Sequence, residues 1–123
     1  MNDEAEIVPM DQLRDIIPDG WRAKSVSYPC EHYRHLPTIE VELIAIEPPR
    51  RSGMKGPHFD IPRLRRLAQG IIAGNRIPPI EVTPKRTGAA YAHRVRNGFH
   101  RYHLCMALGL TKIPVVEIEP LDE

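Results

Sequence analysis

Apolar residues along this chain recur in short periodic patterns and never in a long run. Ile39-Glu40-Val41-Glu42 alternates apolar and polar positions and runs on into Leu43-Ile44-Ala45-Ile46, which predicts a strand entering a core, with Pro48-Pro49 as its stop. Leu64, Leu67, Ala68, Ile71 and Ile72 then recur at i, i+3, i+4, i+7 and i+8, the stripe of an amphipathic helix. Asp60 is placed to cap that helix, Pro62 falls in its first turn, and Gly74 can end it in the left-handed conformation. Arg63, Arg65, Arg66 and Gln69 lie on its other, solvated face. Pro79-Ile80-Glu81-Val82 and Tyr91-Ala92-His93-Arg94-Val95 predict two strands joined as a hairpin through Arg86-Thr87-Gly88. A second helix runs from about His100 to Leu108 and stops at Gly109. The chain closes with a strand over Ile113-Pro114-Val115-Val116-Glu117-Ile118, whose proline favours its beginning or a sheet edge.

Two main helices among about four strands of a mixed sheet predict a small α+β (α/β) domain. Thirteen prolines among the 123 residues exclude long helices. Residues 1–35 read as a peripheral N-terminal extension. It has an acidic start, a short amphipathic helix opened by Asp11 with Leu13, Ile16 and Ile17 on one side, and an irregular stretch around Trp21 and Tyr28. The folded domain is expected over residues 36–123.

Composition narrows the class. A 41% hydrophobic and 27% charged content is that of a globular domain, and no apolar run reaches the 18 or so residues of a membrane span. The acidic start, Met1-Asn2-Asp3-Glu4-Ala5-Glu6, lacks the basic and apolar regions of a secretory signal, so a cytoplasmic location is expected. Cys30 and Cys105 cannot form a disulfide framework, and the apolar surroundings of Cys105 suggest a reduced core thiol. The net charge of +1 conceals an asymmetry: Arg50 to Arg101 holds twelve basic residues against Asp60 and Glu81, while the remainder holds five basic and fourteen acidic residues. A basic block between acidic ends is an electrostatic footprint for phosphate, free or in a nucleic-acid backbone.

The densest chemistry lies in Asn97-Gly98-Phe99-His100-Arg101. A strand, a glycine turn and a helix start follow one another there. Gly98 permits close backbone approach, the first N–H groups of the helix lack intrahelical acceptors, and His100 and Arg101 add donors at the positive end of the dipole. Such a constellation suits an anion, above all a phosphate.

The order of a strand leading to Pro48-Pro49-Arg50-Arg51, Phe59-Asp60 opening a helix, Ile77-Pro78-Pro79-Ile80-Glu81-Val82, Tyr91, Asn97-Gly98-Phe99-His100-Arg101 and Gly109-Leu110-Thr111-Lys112-Ile113-Pro114-Val115 resembles the N-terminal domain of the ParB and sulfiredoxin superfamily, over about residues 36–119. In that superfamily a glycine-initiated turn receives nucleotide phosphates at a helix N-terminus. The resemblance implies that Gly98, His100 and Arg101 hold phosphates, with Asn97 at the turn and Arg50 or Arg51 reaching across. Phe99 stands where sulfiredoxin has its essential cysteine and ParB a glutamate. A phenyl ring cannot be the thiol nucleophile, so sulfiredoxin activity is not expected, and the expected domain ends before the DNA-binding and dimerisation domains of partition proteins.

Three functions follow as expectations. The leading one is a module that binds a nucleotide (CTP, ATP or ADP). Turnover would need Mg²⁺ and a base, for which Glu47 and His100 are the candidates. The second is sequence-nonspecific DNA binding or nuclease-like activity through Lys85, Arg86, Arg94 and Arg96, with Tyr91 or Tyr102 to stack on bases. The third is a non-catalytic domain whose arm, with Trp21, Tyr28 and Tyr33, docks on a protein partner or a second copy. No bound metal is expected: Cys30, His32 and His35 match no common zinc spacing, His103 shares a helix face with His100 but is explained by ordinary packing, and His58 and His93 stand without a pattern.

Overall fold

In the computed structural model, which describes residues 11–33, 35–49, 59–85 and 88–118, the apolar run at 39–46 does not form one strand. It divides into β1 (Ile39–Glu42) and β2 (Ile46–Glu47) around a 3-10 turn at Leu43–Ala45. A 3-10 turn has three residues per turn and so eclipses positions i and i+3. Leu43 and Ile46 are accordingly both buried, while Ile44 is 81% exposed. The turn is fastened on two sides, by Leu43 N–H to Thr111 O at 2.9 Å and by Ala92 N–H to Ala45 O at 2.8 Å.

The other elements are α1 (Asp11–Arg14), α2 (Ile61–Ala73), β3 (Ile80–Pro84), β4 (His93–Asn97), α3 (Phe99–Leu108) and β5 (Lys112–Glu117). The strands form one mixed five-stranded sheet in the order β1-β5-β3-β4-β2. β1 pairs antiparallel with β5, β5 parallel with β3, β3 antiparallel with β4, and β4 parallel with β2. The expected α+β class and the β3–β4 hairpin are present; the strand count is five because the first expected strand serves both edges of the sheet. In a flat sheet those edges would lie about 19 Å apart at the usual strand spacing. A three-residue 3-10 turn advances only about 6 Å, so the sheet must curl until its edges approach.

Of the two placements expected from Pro114, a strand beginning or an edge, the edge is not found: β5 runs between β1 and β3. Its ladder with β3 begins at Val115, opposite Ile80. On that side Pro114 precedes the first paired residue, where a missing N–H interrupts no bond.

α2 has the expected ends. Asp60 accepts a bond from Arg63 N–H, Pro62 sits in the first turn, and Gly74 adopts φ 82° with its N–H directed to Gly70 O and Ile71 O. Its stripe of Leu64, Ala68 and Ile71 is buried. α3 is buried on most sides, with Met106 its exposed large apolar residue.

Residues 11–33 are not peripheral. Leu13 is fully buried and Tyr28 nearly so, and Trp21 and Ala23 pack on the same core. Pro29 O accepts from Ile77 N–H and Ile77 O from Glu31 N–H, at 2.9 and 3.1 Å. The aromatic arm expected to reach a partner is thus bound to its own domain. Cys105 is a free thiol within the core, and burial pushes its pKa up to about 12. No helix among the described residues is long and apolar enough to cross a membrane.

Among the described glycines the tightest approach is at Gly98, whose φ is 143° and where an added Cβ would lie 2.5 Å from Ile80 Cγ2 and 2.6 Å from Ile80 Cβ. Gly74 has a positive φ but open space around it. Gly98→Ala therefore combines backbone strain with a core clash and is expected to cost about 3 kcal/mol or more. Gly74→Ala should cost about 1 kcal/mol. Urea denaturation of the two variants checks the difference.

Candidate functional site

The curled sheet brings the N-terminal ends of the two long helices together. Asp60 N–H, at the start of α2, donates to Nε2 of His100 in the first turn of α3 at 2.9 Å. Beside that bond, Phe59 and Phe99 pack with ring centroids 5.5 Å apart, and His103 meets Phe99 edge-on at 4.8 Å. Because His100 accepts through Nε2, its ring is neutral with the proton on Nδ1. His103 Nε2 lies 3.2 Å from Pro49 O and donates to it. This rigid aromatic knot fixes how the two helix ends face one another.

Arg101 points the other way, toward the start of β3. Its Nη1 donates to Pro78 O at 3.1 Å and Pro79 O at 2.9 Å, and the residue is only 6% exposed. Burial above all lowers its pKa from the ordinary arginine value; Arg63 acts in the same direction and Glu81 opposes it. Those two bonds use the Nη1 hydrogens, leaving the Nη2 and Nε hydrogens of the guanidinium outside them.

Arg101 lines a cleft of about 330 Å³ together with Arg63, Asn97, Tyr33 and Glu81. Tyr33 donates its hydroxyl to Glu81 Oε2, which holds the carboxylate against one wall. The pairing of β3 with β4 shifts between Glu81, opposite Asn97, and Val82, opposite Val95. Arg96 is thus the extra residue of a bulge, a device that re-aims neighbouring side chains, here beside Glu81 and Asn97.

Of the expected phosphate ligands, Asn97 and Arg101 reach this cleft, Gly98 shapes the turn beneath it, and His100 is directed into the aromatic knot. Arg50, Arg51 and Arg86 lie outside the described residues; the last described residue before the first two, Pro49, is the acceptor of the His103 bond. Glu47 is elsewhere. It accepts from Lys85 Nζ at 2.8 Å and borders a smaller recess of about 210 Å³ with Arg94. The two candidate general bases are therefore in different places, and one of the four expected DNA-binding cations is in an ion pair. Arg94 and Arg96 are exposed, whereas Tyr102 is 2% exposed in the core and cannot stack on a base.

Sequence reasoning missed Arg63, Tyr33 and Glu81. Arg63 carried a usable signal, since it stands in the first turn of α2, where a cation opposes the dipole and calls for another reason. Tyr33 carried none, because only the tertiary fold brings residues 28–33 beside β3. Among the described residues no three potential metal ligands converge.

Comparison of the sequence with protein-family models finds no match, and comparison with curated proteins finds no significant one.

The knot also sets a pH dependence. Burial lowers the pKa of His103 below its ordinary 6.5, with the bond to Pro49 opposing. The unfolded chain then takes up this proton at higher pH than the folded one, so stability falls as the pH drops below about 6.5 toward the folded pKa. Calorimetric melting between pH 7 and 5 is expected to show a steeper loss of Tm in the native protein than in His103→Gln. Equal slopes would exclude His103 as the titrating group.

Proposed function

We propose that the chain is a ParB/sulfiredoxin-like domain that binds the phosphates of a nucleotide in the cleft at the start of α3. The observation that carries this reading is the pairing of Arg101 and Arg63, from the first turns of two helices whose N-terminal ends converge, around one cleft with Asn97. Two helix dipoles and two guanidiniums favour the same charge sign. Arg101 serves as a preorganised donor, with Nη1 bound to the Pro78 and Pro79 carbonyls and its other hydrogens left for the anion. Arg63, exposed at the rim, closes on the ligand. Glu81 repels a bare phosphate, so Mg²⁺ bridging carboxylate and phosphate strengthens binding. The role is binding: Glu47, paired with Lys85 in another recess, supplies no base to this cleft.

Thermal melting with CTP, ATP, ADP and GTP, each with and without Mg²⁺, tests the reading. A ligand at a hundred times its Kd stabilises the folded state by about 2.7 kcal/mol. One nucleotide is expected to give a Mg²⁺-enhanced shift that Arg63→Ala largely removes while the ligand-free Tm stays near its original value. No shift with any nucleotide would remove the reading.

A second reading, nonspecific binding to nucleic acid, is supported by the two exposed arginines of β4, Arg94 and Arg96. Each phosphate contact contributes about 0.9 to the slope of log affinity against log salt on duplex DNA. Arg94→Ala with Arg96→Ala is expected to flatten that slope by nearly 2. Binding indifferent to salt would discard this reading.

A further inference from the structure

β1 (Ile39–Glu42) is an edge of the sheet, and among the described residues β5 is the one element against which it packs closely. Its register fixes where its backbone groups point. In an antiparallel pair, residues that exchange both backbone bonds alternate with residues that exchange none. Leu43 N–H bonds to Thr111 O, and that pair continues the register of Val41 with Ile113 and Ile39 with Val115. The odd-numbered residues therefore bond to β5. Glu40, opposite Pro114, turns its N–H and C=O outward, and Glu42, opposite Lys112, turns its N–H outward, its carbonyl being the first acceptor of the 3-10 turn. Pro114 fits this phase, because the residue facing Glu40 needs no N–H toward β1.

These outward groups have no backbone partner among the described residues. Sheet edges are commonly closed by a proline, a bulge or a covering segment, yet β1 contains no proline and its register runs without a shift. What it carries is charge of one sign. Glu40 and Glu42 are exposed on one face, and neither is in an ion pair among the described residues. On the other face Val41 packs on the core while Ile39 is 44% exposed, and Leu36 and Ile44, before and after the strand, are exposed as well.

Open backbone groups of this kind are met by another strand, and the glutamates select which one. A second copy is disfavoured: only Glu40 and Glu42 have outward groups, so antiparallel pairing of two β1 strands sets glutamate directly opposite glutamate, which is destabilising. A strand with cations at alternate positions satisfies the backbone and the charge together.

We propose that β1 adds an antiparallel strand from a basic partner protein, with cations opposite Glu42 and Glu40 and apolar residues opposite Val41 and Ile39. This surface is independent of the arginine cleft, whose lining includes no residue of β1 or β5.

The probe is the fluorescein-labelled peptide Gly-Ser-Arg-Val-Arg-Ile-Ser-Gly, titrated with the full chain and read by fluorescence anisotropy. Saturable binding is expected, and binding weaker by about tenfold or more for the peptide with both arginines replaced by glutamate. Methylating the backbone nitrogen of the second arginine, which donates to Glu40 O, should weaken binding about tenfold at unchanged charge; methylating that of the valine, which faces away, should change it by less than about twofold. On the protein side, Glu42 has φ −73°, within the range proline takes, and its N–H bonds to nothing inside the fold. Glu42→Pro should thus keep the ligand-free Tm near its original value and weaken binding about tenfold, whereas Glu42→Gln, which removes charge alone, should weaken it about threefold. The proposal is overturned by a response that does not saturate, by equal binding of the glutamate peptide, or by equal binding of the arginine-methylated peptide, which would mean charge attraction without a strand. It is also overturned by folded Glu42→Pro binding as tightly as the native chain, or by a free chain that sediments as a dimer and dissociates in Glu42→Pro, which would make a second copy the occupant.

Discussion

The fold depends on a single length constraint: nine residues, 39–47, supply both edges of a five-stranded sheet. A strand pair at each edge and a turn of three residues between them cannot be reconciled with a flat sheet, so the sheet curls, and the curl creates a concave interior that must be filled. α3 contributes to the core, with eight of its ten residues buried, His100, Arg101 and His103 among them. Polar side chains in that position must find partners or destabilise the core. Each does so on a neighbouring backbone: His100 with Asp60 N–H, Arg101 with Pro78 O and Pro79 O, and His103 with Pro49 O.

Those same bonds build the cleft. A motif read as a set of phosphate ligands is also a set of structural ties between the start of α3 and the segments entering α2 and β3. Arg101 illustrates how the two roles coexist. Desolvating a guanidinium is costly unless its donors are met; two carbonyls meet one nitrogen, and the residue borders the cleft with Arg63 and Asn97. A side chain so anchored loses little freedom on meeting an anion, the usual source of affinity in a preorganised site. His100 acts as a structural tie. Its Nε2 is engaged by α2, and the electrostatic gain it brings is indirect, through the approach of the two helix ends.

Local chemistry made much of this legible from the sequence. α2 was readable from end to end because its stripe, its Asp60 cap, Pro62 and Gly74 agree. The Gly98 turn was legible because strand, glycine and helix adjoin. What failed was whatever depended on distant partners. Alternation at 39–46 predicts one strand, and the 3-10 turn appears only because Thr111 and Ala92 bond to it from both sides. Trp21, Tyr28 and Tyr33 look like an exposed aromatic arm in a sequence with no regular period there, and tertiary contacts with Ile77, Pro78 and Glu81 make them part of the core and of the cleft.

One carbonyl joins the arginine cleft to a second, apolar hollow. Pro78 O accepts from Arg101 Nη1, which lines the arginine cleft, and from the hydroxyl of Tyr28, which lines the apolar hollow between residues 20–29, the C-terminal end of α2 and Leu110. Burial raises the pKa of Tyr28 well above its ordinary value of 10, so this hydroxyl stays protonated and stays a donor wherever the protein is folded near neutral pH. The link is therefore a fixed strut and not a pH switch. It holds Pro78 from both sides, which sets the start of β3 against the first turn of α3 and keeps Ile80 against Gly98. The two hollows share this strut while drawing on opposite ends of α2 for their walls: Arg63 and Leu67 on one side, Ile71, Ile72 and Gly74 on the other. A 13-residue helix spans about 20 Å, so its two ends are separate electrostatic environments, with the positive end of the dipole at the arginine cleft and the capped, negative end at the apolar hollow.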